Sequence, residues 1–175
     1  VADRPPAGVN RPVRSSGGMA LRVLQSWWAP RRVVRSLSDM PDRVLLVVLM
    51  AAMLITLVGQ APGLARAAEL DPSIPLDARI GGAAMGTMFM MPLVAYAVAG
   101  LTGLLARLTP WRLAPEHARL ALFWALLAAT PATLLAGMVA GLIGPSPALT
   151  LTRAIAGVGF FLIWGAGIAA LARRI

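Results

Sequence analysis

Protons are moved, metals held and carbonyls attacked by ionisable or nucleophilic side chains, and in this 175-residue chain such side chains avoid the long apolar runs. Four uncharged runs cover residues 44–65, 80–106, 120–152 and 154–172, and apart from Ser146 at a Gly-Pro break their polar content is limited to Gln60, Tyr96, Trp124, Trp164 and scattered threonines. The single histidine, His117, stands beside Glu116 in a turn between runs and reads as a solvated turn residue. One histidine with no cysteine or second histidine is not a metal site. Met85, Met88, Met90 and Met91 carry thioethers of the kind that bind cuprous copper, but without His or Cys nearby they read as gap-filling packing residues. No Walker loop, nucleophile elbow, zinc-protease helix or dinucleotide fingerprint occurs in the sequence. The reading is therefore no catalytic, cofactor-binding or metal residue, no cofactor, and a protein that is not an enzyme.

The elements around these residues explain the pattern. Hydrophobic residues make up 58% of the chain and charged residues 13%, against about 25% charged in an ordinary soluble domain. The net charge of +9 raises the question of nucleic acid. Its distribution argues against that partner, because the arginines sit in tails and turns rather than along one basic face. All 16 basic residues are arginine, which with abundant Ala, Gly and Pro points to a GC-rich bacterial genome.

Residues 1–18 are rich in Pro, Gly, Ser and Arg and read as a disordered basic leader without the apolar core of a signal peptide. Met19, placed just before an apolar pattern, offers a second reading in which the natural start lies there and the leader is an artefact. In residues 19–43, Leu21, Leu24, Trp27 and Trp28, then Val33, Val34 and Leu37 after Pro30, recur at helical spacing. Arg31, Arg32 and Arg35 fall on the other face, where they can reach anionic headgroups. An interfacial amphipathic helix is expected there.

The remainder, 44–175, is expected to be an all-α transmembrane bundle of about four spans, at 44–62, 82–106, 120–143 and 153–172. A bilayer core needs roughly 20 apolar residues per helix, and open strands would leave backbone groups unpaired in lipid. Pro145 and Pro147 beside Gly144 break the third run from the fourth. The first and fourth spans are expected to be the shorter. Thirteen arginines then fall in the N-terminal tail, the connection 107–119 and the C-terminus, against three in the other two connections. The positive-inside rule places both termini in the cytoplasm of a bacterial inner membrane.

Pro92 and Pro131 lie within spans and are expected to kink them, with Thr130 and Thr133 placed to satisfy freed backbone groups. Gly137 and Gly141 form a small-xxx-small surface that lets two helices approach closely. Gly82 and Gly86 repeat the spacing. Packing within the chain is the first reading of these stripes and a homo-oligomer the second.

Three stretches carry a family resemblance: Trp28-Ala-Pro-Arg-Arg-Val-Val-Arg35, Ala118-Arg-Leu-Ala-Leu-Phe-Trp-Ala-Leu-Leu127 followed by Thr130-Pro131, and Gly141-Leu-Ile-Gly-Pro145. Over roughly residues 21–171 the chain resembles short alphaproteobacterial members of the Yip (Ypt-interacting protein) family. The resemblance implies a multi-pass membrane protein without catalytic residues. Eukaryotic members engage Rab-type GTPases and influence vesicle traffic. The usual family bundle has five spans, against four counted here. The function expected is a non-catalytic membrane scaffold or interaction protein that meets anionic lipid headgroups through Arg31, Arg32 and Arg35 and binds an unknown protein partner. The alternative is a small transporter or channel-like subunit with Pro92, Tyr96 and Pro131 along its path.

Overall fold

The structure, a computed structural model, describes residues 18–108 and 111–174, with the side chains of 111–112 and 173–174 left aside. The expected leader 1–18 lies outside the described residues apart from Gly18. The chain is an all-α bundle with four helices long and apolar enough to cross a bilayer. Two short helices, α1 (Met19–Gln25) and α2 (Pro30–Arg35), precede α3 (Asp42–Leu70). The second span is one continuous rod of α4 (Leu76–Ala84), a wider π-turn segment (Met85–Met90) and α5 (Met91–Arg107). α6 (Pro115–Leu142) and α7 (Pro147–Leu171) complete the bundle. Two-residue strands, β1 (Trp111–Arg112) and β2 (Arg173–Arg174), pair antiparallel and tie the C-terminal end to the α5–α6 connection.

α6 is the central helix. Leu120 to Ala125 are all buried, and α3, α5 and α7 each pack on it. Between helices in lipid no water is released, so association rests on contact rather than on the hydrophobic effect. The α3–α6 crossing shows this. A Cβ on Gly137 would fall on the Gly59 carbonyl oxygen, and a Cβ on Gly141 would collide with Pro62. Gly59 and Pro62 on α3 thus oppose Gly137 and Gly141 on α6, and Gly63 faces Ala140. The Gly82/Gly86 repeat has no such role, since a Cβ at either position meets nothing within 4 Å.

Helix ends follow local chemistry. Pro115 and Pro147 sit at the first helical turn, where a missing N–H is tolerated. The Ser146 hydroxyl caps α7 by accepting from the Leu149 N–H at 3.2 Å. Gly144 ends α6 with φ of +81°, a conformation that disfavours a side chain, and its N–H returns to the Val139 carbonyl.

The span bounds differ from expectation, the third and fourth spans starting at Pro115 and Pro147 rather than at 120 and 153. The first does not stop at residue 62 but runs through Pro62 to Leu70, making it 29 residues and the longest unbroken helix. The Ala-rich stretch after Gly63 favours helix, and Pro62 packs on Gly141 of α6. The second begins at Leu76 rather than 82. Pro92 lies directly after the π-turn segment, where the ring removes one rung of the hydrogen-bond ladder.

Candidate functional site: a basic rim and an outer groove

Parts of the three arginine-rich segments meet at one end of the bundle: Arg35, Arg119 and the β1–β2 pair. Arg119 on the first turns of α6 grips Asp42 at the start of α3 with 2.8 and 2.9 Å contacts. Arg35 donates Nε to the Ala170 carbonyl at 3.3 Å, near the end of α7. The β1–β2 pair lies at the same end.

The N-terminal segment is fixed to the bundle by its apolar side. Val33, Val34 and Leu37 are buried, and Val34 reaches Gly167 on α7. The break after α1 carries Ser26 and Trp27 inward. The Trp27 indole N–H donates to the Ala128 carbonyl at 2.9 Å, and its ring lies so close to Gly159 that a Cβ there would meet it at 2.5 Å. Ala128 and Gly159 stand midway along α6 and α7, so this indole sits at half the height of the bundle. Beside it, the Trp124 indole donates to the Ser26 hydroxyl, which donates to the Arg22 carbonyl, each at 2.8 Å. These two indole protons therefore have acceptors. Arg31, Arg32 and Arg35 remain exposed, with Trp28 82% exposed and Leu21 and Leu24 also open.

Pro131 frees the Leu127 carbonyl, and the Thr130 hydroxyl donates to that oxygen at 2.8 Å. Thr133 donates to the Thr130 carbonyl at 2.9 Å. Tyr96 packs edge-on against Phe123 at 5.0 Å. None of Pro92, Tyr96 and Pro131 lines the large groove described next.

That groove, of about 1060 Å³, lies over α6 with α3 and α5 on one side and α7 on the other. Among the described residues α7 packs on neither α3 nor α5, so the groove is the gap between them. Its walls are mostly apolar, including Met53, Val94, Leu126, Phe160 and Trp164. Polar groups are few: the Gln60 amide donates to the buried Thr87 hydroxyl in the π-turn segment at 2.9 Å. Arg66 and Arg153 line it where α3 ends and α7 begins. Arg66 is expected from sequence in a connection. It instead sits on α3 and donates Nη1 to the Gly141 and Leu142 carbonyls at 3.3 and 3.4 Å, complementing the end of the α6 dipole. Its Nε is buried and unpaired among the described residues, as is the Trp164 indole nitrogen.

Sequence reasoning brings Gly137 and Gly141 to a real helix crossing but misses Gly59, Gly63, Arg66 and Arg153. The Gly59-x-x-x-Gly63 spacing and the helix-favouring Ala65-Arg66-Ala67-Ala68 stretch are the signals that find them. Beyond the groove, Asp71 accepts from the Ser73 hydroxyl at 2.5 Å, the Ser73 N–H at 3.2 Å and Arg79 at 3.1 Å. The Ser73 hydrogen bonds, and then Arg79, hold its carboxyl below the usual range. Comparison with family models, with curated proteins and with solved structures gives no match for this chain.

Proposed function

We propose that this membrane protein is a non-catalytic scaffold of the Yip type in a bacterial inner membrane, with both termini in the cytoplasm. It holds a basic rim against anionic headgroups and offers that rim, with the connection 107–119, to a protein partner. The observation that carries this reading is the docking of α2: Val33, Val34 and Leu37 are spent on the bundle while Arg31, Arg32 and Arg35 stay exposed. A rigidly mounted cationic array loses less conformational freedom on binding than a loose tail. Each arginine near an anionic surface contributes about 1 kcal/mol.

The test uses the whole chain in mild detergent. Wild type and the Arg31→Gln/Arg32→Gln/Arg35→Gln variant are compared for the membrane proteins they retain. A partner held by wild type and lost by the variant supports the scaffold; identical retention defeats it. Orientation is read separately, since the chain has no cysteine. An impermeant maleimide is expected to label Ser73→Cys in intact spheroplasts and Asp39→Cys only after lysis.

A small transporter or channel subunit is the second reading. It is favoured by one observation, the Gln60–Thr87 pair beside the π-turn segment in the groove. Broken helices with polar groups at mid-membrane form transport sites elsewhere. Against it, Tyr96 is engaged with Phe123 and the Thr130 hydroxyl with Leu127. Ion or solute flux through proteoliposomes that falls on Gln60→Leu would favour transport over the scaffold.

A further inference from the structure

We propose that the groove between α7 and the α3–α5 pair binds one anionic membrane lipid, its phosphate between Arg66 and Arg153 and its acyl chain along Phe160 and Trp164. Three observations carry this. First, the groove is large and apolar, at the upper end of the range for sites that enclose small molecules. An acyl chain matches such a lining and a soluble polar solute does not. Second, because α7 packs on neither α3 nor α5, the groove is open along its length between two spans, and a lipid can enter sideways from the bilayer. Third, its only charged lining residues are two arginines, and both lie toward one end. Neither makes an ion pair among the described residues, and the buried Arg66 Nε has no acceptor at all. A cation at membrane depth is costly unless it faces a partner or snorkels to the headgroup level. A phosphodiester supplies one negative charge and acceptor oxygens for both guanidinium groups.

The site is distinct from the basic rim: Arg66 and Arg153 lie at the end of the bundle opposite Arg35 and Arg119. The lipid would fill the gap that the helices themselves leave open.

The experiment is native mass spectrometry of the full chain in detergent with phosphatidylglycerol or phosphatidylcholine added at equal concentration, and inorganic phosphate alone as a third arm. One phosphatidylglycerol per chain is expected to be retained, favoured about thirtyfold over phosphatidylcholine at roughly 1 kcal/mol per arginine. Arg153→Gln, at a side chain with no hydrogen bond among the described residues, is expected to reduce the preference about fivefold. Gly157→Leu fills the groove at a position where a Cβ meets nothing within 4 Å, and is expected to abolish retention of either lipid while leaving the melting temperature unchanged. Arg31→Gln/Arg32→Gln/Arg35→Gln is expected to keep the preference. Equal retention of the two lipids, a preference undiminished by Arg153→Gln, retention that survives Gly157→Leu, or inorganic phosphate displacing the lipid at matched concentration would each overturn the assignment. Loss of the preference in the rim variant instead would overturn it by moving the lipid to the rim.

Discussion

The two sides of α6 use the same kind of residue to opposite ends. Against α3, Gly137 and Gly141 are covered by backbone, and the crossing leaves no room for a methyl group. Toward the gap, Gly157 on α7 faces open space and lines the groove. A glycine in a membrane helix thus has no fixed meaning. It brings two helices together when another small residue opposes it, and it widens a cavity when nothing does.

The largest test of this contrast is Gly137→Leu set beside Gly157→Leu. The first drives a side chain into the Gly59 carbonyl and is expected to destabilise the bundle by about 3 kcal/mol or more. The second is expected to change stability by less than about 0.5 kcal/mol. Unfolding in mixed micelles reads both, and equal losses would erase the distinction between the two faces. Next is Trp27→Ala, which leaves a void between α6 and α7 and is expected to lower stability by about 3 kcal/mol. Trp27→Phe keeps most of the volume, loses the bond to Ala128 and is expected to lower it by about 1 kcal/mol. A negligible effect of Trp27→Ala would show that the N-terminal segment is not fixed to the α6–α7 side.

A smaller effect is expected at the end of the bundle. Asp42→Asn breaks the contact with Arg119, a half-exposed pair, and is expected to lower stability by at most about 0.5 kcal/mol, less still at high salt. The smallest concerns Asp71. Its folded carboxyl titrates below the ordinary aspartate value, so the bound arrangement favours the charged form. Its contribution is present above the unfolded value and disappears as pH falls through the lower folded value. The gap in denaturation midpoint between wild type and Asp71→Asn is therefore expected at neutral pH and to close in acid. A gap that widens in acid would reverse the sign of the coupling.

Much of the fold is legible in the sequence because hydropathy reports the surrounding medium directly. Four apolar runs become four spans, and Gly144 to Pro147 becomes the break between the last two. The ends of the first span are less legible. Pro62 and Arg66 read as a stop when taken alone, yet their neighbours on α6 keep both on a helix. The seat of Trp27 is not legible at all. Its acceptor lies 101 residues away in sequence, and no local pattern encodes which carbonyl an indole will find. The groove is illegible for a related reason: a gap is defined by helices that fail to touch, and periodicity records only that a face is apolar.

The long reach of that one indole also sets an order of assembly. A ribosome makes Trp27 well before it makes Ala128 and Gly159. At about 5–20 residues per second, the wait for α6 alone is on the order of 5–20 s. Through that interval Val33, Val34 and Leu37 have no protein neighbours to cover them, so the newborn N-terminus must rest on the lipid surface or on a chaperone before it closes onto the finished helices.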